Sequence, residues 1–147
     1  MNRRAFILLT GAAGALPATA FAGGTKPVAL NADGAALDGY DTRAYWTVAQ
    51  ATDGTDAHVV DWNGAAWRFA SAADAEAFAA APERFAPQFG GFCTRAMSFG
   101  KEVNGDPQVW RIFEDRLYVF AKPVGGRKFD GAEAAMIAKA QAHWDTL

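Results

Sequence analysis

The pair Asn63-Gly64 places the tightest constraint on how this chain can fold. Asn-Gly is the strongest two-residue signal for a β-hairpin, because both central positions of a type I′ turn need a positive φ. The flanking segments 58–62 and 65–69 carry apolar residues at every second position. The six residues of the apolar face then form three cross-strand pairs: Trp62 with Ala65, Val60 with Trp67, and His58 with Phe69. A slip of one residue would turn these side chains to the polar face, so the register is well specified.

A second hairpin is predicted from residues 109–113 and 116–120, which flank the turn Glu114-Asp115. This pairing also produces one apolar face, formed by Trp110, Ile112, Leu117 and Val119. Because two hairpins with one apolar face each need a cover, we expect them to form one small antiparallel sheet packed against helices. The 147 residues are enough for one domain.

Helices are predicted between and after the hairpins. Ser71 and Asp74 resemble a capping box and begin an alanine-rich helix that runs to Ala81 with Phe78 facing inward. Three further segments have helical signals: 82–85, 92–98 and 131–145, the last with Asp130 as its N-cap and a stripe of Met136, Ile137, Ala140 and Trp144. The sequence thus predicts an α+β fold, with a small antiparallel sheet covered by short helices and a C-terminal helix.

Residues 1–22 have the features of an export signal. Arg3-Arg4 precede an apolar stretch, and Ala20-Phe21-Ala22 has the small-x-small pattern of a cleavage site. The arginine pair resembles a twin-arginine signal, which is an address and not an anchor. A helix that spans the bilayer would need about 20 predominantly apolar residues, and Gly11 and Pro17 interrupt this stretch.

This interpretation divides the chain into a signal at 1–22, a flexible leader at 23–35 and one domain at 36–147. The mature protein would be periplasmic, folded before export, and without a stable membrane span. The alternative is an N-terminal anchor that is retained. The mature chain has 12 basic and 16 acidic residues, and the basic ones form no stripe, so nucleic acid is not expected as a partner.

Cys93 is the only cysteine, and it follows Gly90-Gly91 within a group of phenylalanines. No internal disulfide is possible, so the fold must depend on its core. A thiol at a helix N-terminus, with Arg95 or Lys101 nearby, favours the thiolate and would suit a metal ligand or a redox nucleophile. The alternative is a buried thiol that packs as a small apolar side chain.

Met97 lies one helical turn after Cys93 and could join it as a second sulfur ligand. Thiolate with thioether favours Cu(I), so copper or another soft metal is the metal class to expect at Cys93 and Met97. Packing is the other interpretation of Met97. His58 and His143 form no metal spacing with Cys93, and a closed zinc site needs four protein ligands.

Asp41 is predicted to cap a short helix on which Ala44, Tyr45 and Val48 face inward. Tyr40 and Asp41 could also supply hydrogen bonds to a bound ligand or cofactor. The chain has no Ser-His-Asp order, glycine-rich phosphate loop or HExxH motif. Binding is therefore favoured over turnover.

Several blocks of the chain resemble the exported, single-domain YHS proteins of bacteria. They are Gly39-Tyr40-Asp41 with Ala44-Tyr45, residues 62–71, residues 82–93, Gly105-Asp106-Pro107 and Arg116-Leu117-Tyr118. The block at 82–93 is the specific one, and the resemblance covers about residues 36–146. It implies a small α+β fold and a link to metal handling, because short YHS modules accompany heavy-metal transporters and bear metal-binding cysteines. Those modules use more than one cysteine, whereas this chain has only Cys93.

Three hypotheses follow. The first is a periplasmic YHS-type module that binds a soft metal ion or a small ligand near Cys93, with Tyr40, Asp41 and Met97 closest to the site and a metal transporter or another protein as partner. The second is a redox enzyme that uses the Cys93 thiol. The third is a protein-interaction module in which Cys93 is buried and inert.

Overall fold

Two β-hairpins and six α-helices make up the computed structural model, which describes residues 25–147. The predicted signal at 1–22 lies outside the described residues. The strands are β1 (Thr55–Trp62), β2 (Ala65–Phe69), β3 (Asp106–Phe113) and β4 (Arg116–Phe120). The α-helices are α1 (Ala44–Thr47), α2 (Ala72–Ala80), α3 (Pro82–Phe85), α4 (Thr94–Ser98), α5 (Pro123–Phe129) and α6 (Glu133–Trp144), and 3₁₀ turns lie at Leu37–Gly39 and Gln88–Gly91. The predicted α+β class, with a C-terminal helix, is confirmed.

The two hairpins form two separate two-stranded sheets, β1–β2 and β3–β4, where the sequence predicts one sheet. Each hairpin has its own aromatic cover. Trp67 and Phe69 of β2 pack against Phe78 of α2, with ring centroids 5.2 and 5.0 Å apart. Tyr118 and Phe120 of β4 pack against Phe129 of α5, both at 5.2 Å. Because separate clusters bury the apolar side chains of the two hairpins, the hairpins do not need to pair edge to edge in one sheet.

The first hairpin has the predicted register near its turn. Trp62 faces Ala65 and Val60 faces Trp67, but Thr55, and not His58, faces Phe69. The prediction for His58 is wrong because the strand is irregular between residues 55 and 59. Immediately before β1, Gly54 lies against β2, since a Cβ on Gly54 would lie 2.5 Å from the Arg68 carbonyl carbon. Only glycine permits that approach to β2.

The second hairpin has the predicted pairs, with Trp110 facing Val119 and Ile112 facing Leu117. Leu117 and Val119 are fully buried, but Ile112 is exposed, so the predicted apolar face is buried mainly through β4. The opposite face of β4 is buried as well, through Tyr118 and Phe120. Strand β4 therefore lies inside the domain with side chains packed on both of its faces.

The helix signals that depend on local chemistry are confirmed. The Ser71 hydroxyl accepts the Asp74 N–H at 3.2 Å, Phe78 is fully buried, and Pro82 occupies the first turn of α3. Helix α4 begins at Thr94, two residues later than predicted. The predicted stripe of α6 packs into one core cluster, with Ala140 fully buried.

Helix α5, which contains Gly125-Gly126, is not among the helices that the sequence predicts. Pro123 begins this helix, and its neighbours explain the glycines: a Cβ on Gly125 would lie 3.0 Å from the Phe120 side chain, and one on Gly126 would lie 3.0 Å from the Arg111 guanidinium. Asp130 follows α5 and does not cap α6, which begins at Glu133. Its carboxylate instead accepts two hydrogen bonds from Arg111, at 2.7 and 2.9 Å.

The described part of the predicted leader, residues 25–35, is hydrogen-bonded to the domain. The Ala29 N–H donates to the Gly90 carbonyl at 2.9 Å, and just beyond the leader the Ala36 N–H donates to the Ala66 carbonyl at 2.9 Å. Ala29 and Ala35 are buried. This segment connects the first hairpin to the 3₁₀ turn that precedes α4.

Gly90→Ala tests how closely this segment is held. Gly90 has a φ of +63°, and a Cβ there would lie 2.2 Å from the Pro27 carbonyl oxygen. Gly64→Ala is the matched control, because Gly64 has a φ of +72° and nothing within 4 Å of such a Cβ. We expect Gly64→Ala to lower the free energy of unfolding by about 1–2 kcal/mol through backbone strain alone. Gly90→Ala should lose more, because Pro27 must also move. Urea unfolding measures both, and equal losses would contradict close packing at Gly90.

Candidate functional site

Cys93 immediately precedes α4 and occupies its N-cap position. Its sulfur accepts the Ala96 N–H at 3.4 Å, which is the role that serine or aspartate has at most helix starts. Its own N–H donates to the Val103 carbonyl at 2.7 Å. The thiol therefore has a fixed place, held from the helix on one side and from the segment after α4 on the other.

A hollow of about 300 Å³ opens beside this thiol. Cys93 is only 5% exposed, so it forms part of the floor. The lining comes from three parts of the chain, namely α4, the segment after it, and the start of α5. The ten lining residues are Cys93, Arg95, Ala96, Phe99, Lys101, Val103, Ala121, Lys122, Val124 and Gly125.

The polar groups of the hollow are almost all cationic. Arg95, Lys101 and Lys122 line it, and no acidic residue does. None of the three takes part in an ion pair within residues 25–147. The Arg95 guanidinium lies over the Phe99 ring, 5.5 Å from its centroid. The arrangement can hold an anionic group at the rim while apolar atoms contact the walls.

Met97 lies behind the hollow and does not line it. It is fully buried in the core cluster that also contains Cys93, Tyr118 and Phe129. Of the two sulfurs predicted to bind a metal, only that of Cys93 reaches the hollow. No group of three or more His, Cys, Asp or Glu residues gathers as a metal site within residues 25–147. A soft metal at Cys93 and Met97 stays a prediction.

Asp41 connects α1 to the end of β2. It is fully buried, and its two carboxylate oxygens accept the N–H groups of Arg43 at 2.8 Å and Ala70 at 3.0 Å. Asp41 is not the N-cap of α1, because that helix begins at Ala44 and Arg43 occupies the cap position. Burial, which outweighs the two N–H donors, raises the pKa of Asp41.

Tyr40 is half-buried, and its hydroxyl accepts a hydrogen bond from the Gln108 amide at 3.3 Å. Neither Tyr40 nor Asp41 lines the hollow beside Cys93. The structure thus brings Cys93 and Met97 into one cluster and places Tyr40 and Asp41 in other parts of the domain. On α1, Tyr45 is buried as predicted, but Val48 is 61% exposed, so its predicted inward position is wrong.

Six of the ten lining residues are not candidates in the sequence analysis: Ala96, Val103, Ala121, Lys122, Val124 and Gly125. Of these, Lys122 is the N-cap of α5 and Val124 lies in its first turn, in a helix that the sequence analysis does not predict. The signal that could have revealed them is Pro123, since proline favours the first position of a helix.

A larger cleft, of about 480 Å³, lies between the first hairpin and α6. Three of its lining residues already use their donors within the chain. The Lys26 ammonium donates to the carbonyls of Trp144 and Leu147, the Asn63 amide to the Lys26 carbonyl, and the Trp67 indole to the Trp62 carbonyl. The hollow beside Cys93 combines a thiol with three cationic side chains that form no ion pair within residues 25–147, so it is the candidate site.

In comparisons with models of protein families, with curated proteins and with solved structures, nothing matches this chain. The YHS resemblance therefore stays a prediction. None of the helices between residues 25 and 147 combines the length and the apolar character needed to cross a bilayer.

Asp41→Asn tests the buried carboxylate. The side-chain oxygen of asparagine can accept only one of the two N–H groups that Asp41 accepts, and its NH₂ group faces the second N–H group. We therefore expect the free energy of unfolding at neutral pH to fall by about 1–3 kcal/mol.

The pH dependence gives a second measurement on the same variant. Because the folded-state pKa of Asp41 is raised from 3.8, the folded protein binds more protons than the unfolded chain above that value. The contribution of Asp41 to stability therefore falls as pH rises through the folded-state pKa and is level above it. The stability difference between wild type and Asp41→Asn should be largest at acidic pH. A stability difference that grows with pH would show that the N–H donors, and not burial, determine the direction of the pKa shift of Asp41.

Proposed function

We propose that this protein is a binding module that holds a small ligand, with an anionic group and an apolar body, in the hollow beside Cys93. One observation carries the proposal: a single hollow of about 300 Å³ joins the only thiol of the chain, apolar walls and three cations, with no acidic residue in its lining. Ligand sites are commonly mostly apolar, with a few placed polar groups, and begin at about this size.

The expected mode of binding follows from where the lining residues lie. Phe99 and Val103 are 67% and 44% exposed, so they offer apolar surface to the ligand body. Lys101 and Lys122 are exposed at the rim and can reach an anionic group. The Cys93 sulfur already accepts the Ala96 N–H, and its S–H proton is a weak donor toward the hollow.

The lining favours a small molecule over the other two uses of the thiol. A soft metal would have one sulfur at the hollow, because Met97 is buried behind it. A thiol-dependent enzyme would need a base near Cys93, and no His, Asp or Glu is among the ten lining residues. The proposal keeps the periplasmic location expected from residues 1–22 and the YHS-type relationship suggested by the block at 82–93.

The experiment is a titration followed by two-dimensional NMR of backbone amides, with benzoate and octanoate as probes and their neutral amides as controls. We expect the carboxylates to shift the Ala96, Val103 and Val124 signals and the neutral amides to do so less. Lys101→Gln and Lys122→Gln should each weaken binding by up to about fivefold, the range of an exposed charge pair. Arg84→Gln is the matched control, because Arg84 pairs with Asp115 away from this hollow.

Cys93→Ser preserves a cap acceptor for the Ala96 N–H, so the variant should fold and report on the thiol itself. A parallel titration with Cu(I) distinguishes metal binding from small-ligand binding. Stoichiometric Cu(I) in the wild type, lost in Cys93→Ser and not displaced by either carboxylate, would replace the small-ligand proposal by the metal one. Amide shifts that map to other parts of the domain, or none with any probe, would overturn the proposal.

A further inference from the structure

Phe99 is the most exposed large apolar side chain of the described residues, at 67%. It follows the last residue of α4, and Val103, 44% exposed, lies close after it. Single exposed apolar residues are ordinary, but an apolar patch rimmed by charge marks an interaction surface. Whether Phe99 belongs to an interaction surface therefore depends on the residues around it.

A second hollow, of about 340 Å³, adjoins the one beside Cys93, because Arg95 and Phe99 line both. The Phe99 face is defined here as the residues that line either hollow. The second hollow adds Ser98, Lys128, Ala132, Ala135, Met136 and Lys139. The Phe99 face thus has one protruding ring between two shallow, partly apolar depressions.

Five cations belong to the Phe99 face: Arg95, Lys101, Lys122, Lys128 and Lys139. None of them takes part in an ion pair in the part of the chain that the structure describes, and no acidic residue lines either hollow. Of the neighbouring acids, Asp130 pairs with Arg111, and Glu102 lies 3.4 Å from the His143 imidazole.

This cationic face belongs to a chain whose overall charge is negative, −2. Residues 25–90 contain nine acidic and four basic residues, so the acidic surplus lies in the first half of the domain. The charges are therefore segregated, and a negatively charged surface would attract the molecule with the Phe99 face foremost.

We propose that the Phe99 face docks on the surface of an anionic lipid bilayer. Phe99 would enter the region between headgroups and acyl chains, where aromatic rings are favourable, and the five cations would contact lipid phosphates. The two hollows offer apolar walls to acyl chains on either side of the ring. This inference goes beyond the proposed ligand site, because the second hollow plays no part in binding the small ligand.

The types of cation favour lipid over an acidic protein. Four of the five are lysines, whose compact charges on flexible stems suit a diffuse layer of headgroups. Arginine would be preferred for the bidentate recognition of carboxylates on a protein, and the one arginine here is stacked on Phe99.

The test is flotation with vesicles of phosphatidylglycerol and phosphatidylcholine, compared with pure phosphatidylcholine vesicles, using full chains with identical N-termini. We expect salt-sensitive binding to the anionic vesicles. Lys128→Gln/Lys139→Gln should lower the partition coefficient about thirtyfold, at about 1 kcal/mol for each lysine. Arg84→Gln/Arg116→Gln removes the same charge from another part of the surface and should leave it within about twofold of the wild type.

Phe99→Ser should lower the partition coefficient about tenfold, through the lost burial of an aromatic ring. Val48→Ser is its matched control, because Val48 is 61% exposed and belongs to neither hollow. Circular dichroism verifies that each variant is folded.

The outcomes are distinct from those of the carboxylate titration. Lys128→Gln/Lys139→Gln should lose vesicle binding and retain the effects of the small probes, because neither lysine lines the hollow beside Cys93, and this difference separates the two proposals. Equal binding to neutral and anionic vesicles, or equal losses in the Lys128/Lys139 variant and its control, would overturn the membrane proposal. So would absent vesicle binding together with binding to polyglutamate, which would assign the Phe99 face to an acidic protein.

Discussion

Strand β4 is packed on both of its faces, and the arrangement of the helices depends on this. Leu117 and Val119 pack in the cluster that contains Leu37 and Tyr45. Tyr118 and Phe120 point the other way, into the cluster that contains Cys93. A strand of a two-stranded sheet has no wide sheet around it, so helices and turns must cover both faces. The candidate site is built on one of these covers, which is why a short, five-residue helix can present a thiol in a fixed position.

The parts of the fold that were predicted correctly are those decided by neighbouring residues. Asn63-Gly64 determines its own turn, Ser71 its own cap and Pro82 its own helix start. The parts that were missed are decided by distant contacts. Gly54 is placed by β2, and Gly125 by the Phe120 side chain. A glycine pair in isolation indicates a loop, whereas the close approach of Phe120 and Arg111 explains why Gly125 and Gly126 occur in a helix.

The candidate site likewise has features that the local sequence predicts and features that distant contacts determine. Cys93 could be selected from sequence, because it is a single thiol after a glycine pair at a helix start. The hollow beside it could not, because Lys122 and Val124 reach it from α5. The sequence also grouped Asp41 with Cys93, although Asp41 uses both of its carboxylate oxygens on backbone groups near α1 and β2. Spacing along the chain carries no information about such long-range partners.

Arg95 and Phe99 form a wall that the two hollows share. A change in the position of this stacked pair alters the shape of both hollows at once. Under the two proposals, a ligand or lipid that moves this pair in one hollow would change the affinity of the other hollow. Such coupling is reciprocal: whatever factor the first event applies to the affinity of the second, the second applies to the first. The sign of that factor depends on the ring position that each event favours. Under the two proposals, retention of the small ligand would depend on whether the Phe99 face rests on a bilayer, without any movement of the strands.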